Sequence, residues 1–414
     1  MDYKQLDAVD TILENGLRVI TLKKDTQIAS IQCGIKVGAL YEKADERGIA
    51  HFIEHMLFKG THTRNNEKLN NDLEFLGGDY NAYTDYTSTV YSITALDEEL
   101  ERAAELMADM LINSTFPEEE MEKERDVILA EYNSSSDDIE DYSYRMVNFY
   151  GFKESPLKFD VIGTEETIKS FTREGITSFH NRYYLPNNAF LVIVSPMSHE
   201  EVLHITKKYF GCWKPAKPVR VDFIREKNVK RKKTTYKSNI EQSTIVYLYT
   251  FNDLPKEREL ALRILNHKLG ESANSILFRE LREKRGLAYD VYTHLDTSND
   301  IKTIYIYTAV RDKYIKEAME TIDTCIEEFK SGKTSLEDEM LLLMKKVLKT
   351  AVASTLEDST DLASYVLHQC LDGEEINKFI EDMKRIENIS NTEIYNVAKE
   401  VFKDPTIHIL KGRK

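Results

Sequence analysis

Short apolar runs and longer stretches with a helical period follow one another along the first half of the chain. Runs rich in β-branched residues predict strands at 17–22, 28–37, 89–94 and 190–194. Apolar residues at helical spacing predict helices at 48–58, 98–112 and 117–132. A polar run at 133–138 is expected to end the last of these helices. Because strands and helices come in blocks rather than in strict alternation, the pattern favours an α+β fold over a doubly wound parallel sheet.

The second half of the chain repeats this order of elements. Gly286 precedes a predicted strand at 303–308 and a predicted helix at 312–329. The same order, glycine followed by strand and helix, stands in the first half after Gly78. A repeat of about 200 residues indicates a duplicated domain rather than a solenoid.

We therefore predict two homologous domains, each a mostly antiparallel sheet with helices. They span residues 1–212 and 234–414, and residues 213–233 form a linker. The linker contains two prolines and a basic run at 227–233, which has two interpretations. It is either a polybasic interaction patch or a solvated connector, and for a short run in an acidic chain we favour the connector.

The composition restricts the class of protein. Of 414 residues, 56 are Lys or Arg and 71 are Asp or Glu, so the formal net charge is −15, and 41% are hydrophobic. That apolar content excludes a wholly disordered chain, and the negative charge argues against nucleic-acid or anionic membrane partners. No signal peptide or membrane span is visible, and the four cysteines form no close pair. We expect a cytoplasmic protein with reduced thiols.

The segment at 48–58 carries the strongest chemical signal. His51 and His55 stand four residues apart, so on a helix they share one face, which is half of a zinc site. Glu54 lies beside both, and the order H-x-x-E-H is the inverzincin signature. Such a string can arise by chance. However, burying Glu54 and two histidines among apolar neighbours would cost several kcal/mol without a metal or a partner, which favours a metal site.

A catalytic zinc site needs a third protein ligand and one open position. The predicted helix at 117–132 offers Glu124 and Glu131, which are seven residues apart and therefore lie on one helix face. Either glutamate can ligate the metal, while the other accepts the free N–H of a ligand histidine. Spacing alone leaves open which glutamate takes which role.

These segments resemble the M16 metallopeptidases, and the length resembles that of the short M16B-type subunits. The resemblance covers nearly the whole chain. Within the family, the chain is similar to bacterial processing-protease-like subunits and to mitochondrial processing peptidase subunits. It implies two homologous domains of a LuxS/metallohydrolase-like fold that form half of a clamshell. It also implies that Glu131, 76 positions after His55, is the third ligand and that Glu124 is its accessory glutamate.

Two further segments carry the resemblance. The segment from Gly77 to Thr84 is similar to the substrate-binding edge strand of the family, an element that captures an extended peptide through its backbone. The substrate-binding residues implied there are Gly78, Asn81, Ala82 and Tyr83. The segment at 278–289 is similar to one whose arginine and tyrosine reach the active site from the other domain, and these residues are Arg282 and Tyr289. From spacing alone, an ordinary helix salt bridge and a packed tyrosine would be the better interpretation.

The resemblance implies a zinc endopeptidase, a hydrolase of peptide bonds with one Zn²⁺ per chain. His51, His55 and Glu131 would bind the metal, and Glu54 would act as the general base. Arg282 and Tyr289 would be catalytic and would also contact substrate.

The expected substrates are short or unfolded peptides, cleaved inside an enclosed chamber that a homodimer would form. In the second half, Thr350 and Leu343 stand where Glu131 and Glu124 stand in the first, so we expect no metal there. The alternative function is a non-catalytic structural or partner subunit of an M16-type complex. The intact ligand positions and Glu54 favour the enzyme.

Overall fold

The computed structural model describes residues 4–219, 221–334, 336 and 338–413. The chain forms two compact units, and each unit is assembled from three separate segments. The first unit comprises Met1–Asn133, Asp160–Asp222 and Val352–Ile380. The second unit comprises Ser134–Phe159, Phe223–Ala351 and Glu381–Lys414. The predicted domains at 1–212 and 234–414, with a linker at 213–233, stay a prediction. The compact units do not follow these boundaries, because each unit takes segments from both halves of the chain.

The first unit contains a six-stranded sheet in the order β1-β2-β6-β3-β5-β4. The strands β2 and β6 run parallel, and every other neighbouring pair is antiparallel. The six strands are β1 (Ala8–Ile12), β2 (Arg18–Lys23), β3 (Ile28–Ile35), β4 (Asp79–Thr84), β5 (Thr89–Leu96) and β6 (Ala189–Ser195). The strand β4 lies at one edge, so among the described residues one row of its backbone groups has no strand partner.

The second unit contains a five-stranded sheet with the matching topology. Its strands are β7 (Arg231–Lys237), β8 (Ser243–Thr250), β9 (Ala288–Asp296), β10 (Thr303–Val310) and β11 (Thr406–Gly412). Their order is β7-β11-β8-β10-β9, and only β7 and β11 run parallel. This sequence of directions reproduces β2-β6-β3-β5-β4 of the first sheet. The topology therefore supports a duplicated α+β domain.

Helices cover these sheets. The first eight are α1 (Ile49–Met56), α2 (Asn66–Glu74), α3 (Leu100–Asn113), α4 (Glu118–Asp137), α5 (Ile139–Gly151), α6 (Glu165–Ser170), α7 (Arg173–Tyr183) and α8 (His199–Phe210). The remaining six are α9 (Glu259–Asn266), α10 (Ile315–Lys330), α11 (Asp338–Glu357), α12 (Ser359–Leu371), α13 (Lys378–Ile386) and α14 (Asn391–Val401). Among the described residues, no helix has the length and apolar character needed to cross a bilayer.

Two helices pack on the sheet that does not come from their own half of the chain. The helix α12 lies on β3 and β6 of the first unit, where Leu367 fills space left by Gly34. The helix α5 lies on β8 and β11 of the second unit, and its Asn148 accepts a hydrogen bond from Tyr305 of the neighbouring β10 at 2.8 Å. Periodicity shows that a helix has an apolar face but not which sheet that face covers. The exchange therefore could not be predicted from the sequence.

The predicted end of one helix was wrong. The helix α4 does not end near Tyr132 but continues to Asp137, because Arg145 donates hydrogen bonds to the hydroxyls of Ser135 and Ser136 and so stabilises a stretch of weak helix formers. The last three residues of the predicted linker belong to β7. Their basic side chains are exposed on an edge strand, where lysine is common because it discourages unwanted strand pairing.

The start of α1 is held by backbone and side-chain constraints. Gly48 precedes the helix with φ of 89°, a left-handed conformation that favours glycine. The carboxylate of Glu42 accepts hydrogen bonds from the N–H groups of Gly48 and Ala50 at 2.8 and 2.9 Å. Burial raises the pKa of Glu42 to about 8, although these two hydrogen bonds oppose the shift. The helix that carries both histidines therefore begins at a defined place.

We predict that Gly48→Ala destabilises the protein more than Gly77→Ala. Both glycines have positive φ, 89° and 67°, so either alanine costs about 1–2 kcal/mol in backbone strain. A Cβ at Gly48 would also lie 2.4 Å from the carbonyl oxygen of Ile162, whereas a Cβ at Gly77 would meet nothing within 4 Å. Urea unfolding of both variants and the wild type measures the difference. Equal losses would contradict this account of the Gly48 contact.

Candidate metal centre

Three potential metal ligands from two helices converge in the first unit. His51 and His55 lie on one face of α1, and Glu131 lies on α4. One ligand atom from each comes within 4.8 Å of the other two. The distances from Glu131 oxygens to Nε2 of His51 and to Nε2 of His55 are both 3.7 Å. In the described part of the chain, this is the one group of three or more such side chains at that spacing.

The three side chains fit zinc. Tetrahedral zinc with bonds of about 2.0–2.2 Å places its ligand atoms roughly 3.3–3.5 Å apart, and the two distances of 3.7 Å approach that spacing. Two imidazoles and a carboxylate are a known catalytic zinc set. Burial, and then the neighbouring His55, lower the pKa of His51 to about 3. His51 is therefore neutral at physiological pH, as a metal ligand must be.

Glu54 lies beside these ligands but is not one of the three. Its side chain is 9% exposed, and Thr84 Oγ1 donates a hydrogen bond to Glu54 Oε2 at 2.6 Å. Burial raises the pKa of Glu54, and the hydrogen bond from Thr84 opposes the shift. A raised pKa makes the carboxylate a stronger base near neutral pH.

Glu124 fixes the orientation of one histidine. Its Oε1 lies 2.9 Å from Nδ1 of His55, and because a carboxylate can only accept, Nδ1 is assigned as the donor. The proton on Nδ1 leaves the lone pair of Nε2 on the side of Glu131. Lys59 Nζ lies 2.7 Å from the other oxygen of Glu124. Burial raises the pKa of Glu124, but the hydrogen bonds from His55 and Lys59 outweigh burial and lower it.

The two histidines differ in the hydrogen bonds of their Nδ1 atoms. Burial lowers the pKa of His55, but the hydrogen bond to Glu124 and the surrounding glutamate charges outweigh burial and raise it. The Nδ1 atom of His51 is buried and has no hydrogen-bond partner among the described residues. The carboxylate contact that fixes a tautomer is therefore present for His55 alone in this pair.

The predicted substrate-binding residues lie on or beside the edge strand β4. A Cβ at Gly78 would lie 2.0 Å from the carbonyl oxygen of Thr94, so this position requires glycine. Asn81 and Tyr83 are exposed, and Ala82 is half-buried. The backbone N–H of Ala82 donates to the side-chain oxygen of Asn81 at 2.9 Å. Tyr83 also reaches α12, where its hydroxyl lies 2.8 Å from Nε2 of His368.

Arg282 and Tyr289 belong to the second unit. The Arg282 guanidinium lies 5.3 Å from the ring centroid of Tyr289 and 4.9 Å from that of Phe278. Tyr289 is 73% exposed and lies near the start of the edge strand β9. The structure thus brings Arg282 and Tyr289 to each other, and their part in catalysis stays a prediction.

Sequence reasoning missed three residues that hold the candidate site in place. Lys59 follows α1 and pairs with Glu124, Thr84 contacts Glu54, and Glu42 holds the start of α1. The signal for Lys59 was its distance of four residues from His55. Thr84 stood at the end of the predicted edge strand, but nothing in the sequence linked it to the histidine helix. Contacts across sequence gaps of 30 and 65 residues decide the roles of Thr84 and Lys59, whereas Glu42 holds N–H groups only six and eight positions away.

The chain matches two family models. Residues 18–165 match the model described as insulinase, peptidase family M16, and residues 170–345 match the peptidase M16 inactive domain. A protein of Rickettsia felis, described as an uncharacterized zinc protease, is 30% identical over 413 residues, which is 97% of this chain and 96% of that relative. The chain therefore belongs to the M16 peptidase family, as the resemblance implied.

A further relative carries a similar description, and solved structures share the fold. The uncharacterized zinc protease YmxG of Bacillus subtilis is 29% identical over 354 residues, 85% of each chain. The crystal structure of a protease from Helicobacter pylori superposes with a TM-score of 0.91 at 24% identity, covering 98% of this chain and 99% of that one. An M16 inactive-domain protein from Pseudomonas fluorescens gives a TM-score of 0.89 at 16% identity, with 99% and 98% coverage. The predicted α+β fold is confirmed.

We predict that Glu124→Gln weakens zinc binding by about 10- to 100-fold, because it removes the carboxylate that orients His55. The pH dependence should also change. Protonated His55 cannot bind metal, so affinity in the wild type falls as the pH drops through the raised pKa of His55. Without the Glu124 charge, that fall should begin at lower pH. Competition with a chromophoric chelator between pH 5 and 8 measures both effects.

Glu122→Gln is the matched control, because Glu122 lies on the same helix with a side chain that is 63% exposed, and its partner Arg125 has further hydrogen bonds to the carbonyl oxygens of Ile168 and Phe171. It should leave zinc affinity and its pH dependence at wild-type values. Equal affinities in Glu124→Gln and wild type would show that Glu124 does not support the metal centre.

Proposed function

We propose that this chain is a zinc-dependent endopeptidase with one Zn²⁺ per chain, held by His51, His55 and Glu131. The observation that carries the proposal is the convergence of these three ligand atoms beside a fourth side chain, the acidic Glu54, which can act as a base. The description of two relatives as zinc proteases supports both the metal and the reaction class.

Zinc, when bound, lowers the pKa of a water molecule and polarises a carbonyl group. The remaining chemistry belongs to the chain. Glu54 uses Oε1 to take a proton from water, because Oε2 is held by the Thr84 hydroxyl. Glu54 then passes that proton to the nitrogen of the leaving amine. His55 keeps its proton on Nδ1, where Glu124 accepts it, and so does not compete for this transfer.

The open edge of β4 supports a substrate in extended conformation. A peptide that adds as a further strand is bound by backbone hydrogen bonds, which do not depend on its sequence. Gly78, Asn81, Ala82 and Tyr83 would line this edge. Folded proteins offer few free strands, so we propose short or unfolded peptides as substrates, cleaved inside an enclosed chamber.

We propose that Arg282 and Tyr289 also contact the substrate. Their segment resembles the one that contributes an arginine and a tyrosine to catalysis in the family. The guanidinium would hold a substrate carbonyl, and the tyrosine hydroxyl would stabilise the oxyanion of the tetrahedral intermediate. Their contact with each other and the exposure of Tyr289 support this assignment, since neither side chain is buried in a core.

The second candidate function is a non-catalytic structural or partner subunit. The match of residues 170–345 to a domain described as inactive gives this alternative its support. That match concerns the region in which we expect no metal ligands. The presence of Glu54 beside the ligand group favours the enzyme, because a subunit that only binds partners has no use for a general base.

We predict that Glu54→Gln keeps zinc but loses peptide cleavage by at least about 10²-fold, because glutamine cannot accept the proton. Zinc content by mass spectrometry and hydrolysis of a quenched peptide library measure the two properties. Glu122→Gln serves as the control and should retain both. Cleavage that survives Glu54→Gln, or wild-type protein prepared with zinc that cleaves nothing, would contradict the proposed function.

We also propose that the chain works as a homodimer in the cytoplasm. Four free cysteines, of which Cys212 is exposed, suit a reducing compartment. The expected mass in solution is twice the chain mass of 48.0 kDa, because one chain would supply half of the chamber. Light scattering coupled to size exclusion measures it at the concentrations used for cleavage. A strict monomer that cleaves peptides at the same rate would contradict a shared chamber.

A further inference from the structure

We propose that Thr84 is a positioning residue for Glu54, an inference that rests on the proposed function. Thr84 Oγ1 donates to Glu54 Oε2 at 2.6 Å. Among the described residues, Thr84 is the one hydrogen-bond donor to the Glu54 carboxylate. The contact selects one carboxylate oxygen and leaves Oε1 as the oxygen that takes the proton.

The carboxylate needs such a restraint because the terminal torsion of glutamate is broad. Glu54 lies on α1, and the backbone of α1 fixes its Cα but not the direction of its oxygens. Rotation would let either oxygen, or neither, reach the water. A short hydrogen bond to one oxygen removes this freedom before substrate arrives, which is the condition for an oriented base.

The Thr84 hydroxyl is itself held in place. Threonine is restricted at χ1, and Thr84 pairs with Thr89 across β4 and β5. The Thr89 hydroxyl donates to the carbonyl oxygen of Val37 at 2.9 Å, so its own proton is already used. The Thr89 oxygen is therefore a second acceptor for Thr84, at 3.4 Å, but the charged Glu54 oxygen lies nearer, at 2.6 Å, so the single proton of Thr84 goes to Glu54.

The turn that follows Thr84 is equally constrained. The carboxylate of Asp85 accepts a hydrogen bond from the backbone N–H of Ser88 at 2.7 Å. The carbonyl oxygen of Asp85 accepts from the N–H of Ala39 at 3.1 Å, and a Cβ on Gly38 would lie 2.3 Å from that oxygen. These contacts hold the β4–β5 hairpin against the segment before α1, and so they keep Thr84 next to Glu54.

The position of Thr84 links two parts of the proposed mechanism. The same strand whose open edge would bind the peptide also orients the base. Successive side chains on a strand alternate between faces, so Thr84 contacts Glu54 while Tyr83 lies on the other face. The Thr84 side chain is engaged with Glu54 rather than with the open edge. Its loss should therefore act on the rate of the chemical step more than on peptide binding.

The test compares Thr84→Val with Thr84→Ser. Valine keeps the shape and removes the hydroxyl, whereas serine restores the donor. We expect Thr84→Val to lower kcat roughly 10- to 100-fold, as befits loss of a hydrogen bond to a charged group, with KM and zinc content within about twofold of wild type. We expect Thr84→Ser to return kcat to within about threefold of wild type.

Thr94→Val is the matched control in the same sheet. Its hydroxyl bonds to Ser30 and Thr360 at 3.2 and 3.1 Å and does not contact Glu54. It should leave kcat unchanged even if it lowers stability.

Four outcomes would overturn the inference while the proposed function stands. They are a kcat for Thr84→Val within twofold of wild type, no recovery with serine, an equal loss in Thr94→Val, and loss of zinc from Thr84→Val. Failure of the proposed function looks different, because there the wild type itself cleaves nothing or Glu54→Gln keeps its activity.

Discussion

The hydrogen bond between His55 and Glu124 is the contact on which the candidate metal centre depends. It joins α1 to α4 at 2.9 Å and involves a glutamate, Glu124, that is only 6% exposed. Burying such a charge is costly unless it is paired, and Lys59 supplies the countercharge at 2.7 Å. The same bond assigns the imidazole proton to Nδ1. One contact therefore sets the spacing of two helices and the chemical state of a ligand.

The surrounding structure keeps α1 and α4 rigid. The start of α1 is anchored by Glu42 and by the left-handed conformation of Gly48. On α4, the guanidinium of Arg125 donates to the carbonyl oxygens of Ile168 and Phe171, and it lies 5.6 Å from the ring of Phe52 on α1. A metal site tolerates errors of only a few tenths of an ångström, so its ligands belong on helices that are held in this way.

Much of the architecture could be predicted from the sequence, because periodicity reports local structure. Every predicted strand is present, and the duplication appears as two sheets of matching topology. The sequence indicated strands on both sides of residues 85–88, but not the hydrogen bonds that form the turn between β4 and β5. Its four residues are polar, and the turn depends on hydrogen bonds to the Asp85 carboxylate. The exchange of α5 and α12 between the sheets was also missed, since long-range packing leaves no local pattern.

In the candidate site, too, local features could be predicted from the sequence and long-range contacts could not. The sequence by itself determined which side chains can bind a metal, because the spacing of His51, Glu54 and His55 on one helix is a local property. The sequence left Glu124 and Glu131 interchangeable. Only the tertiary structure decided that Glu131 faces the Nε2 atoms while Glu124 faces Nδ1 of His55. The tertiary structure also brought Lys59 and Thr84 to the two glutamates. The physical reason is that the direction of a side chain across a helix pair depends on how the helices pack.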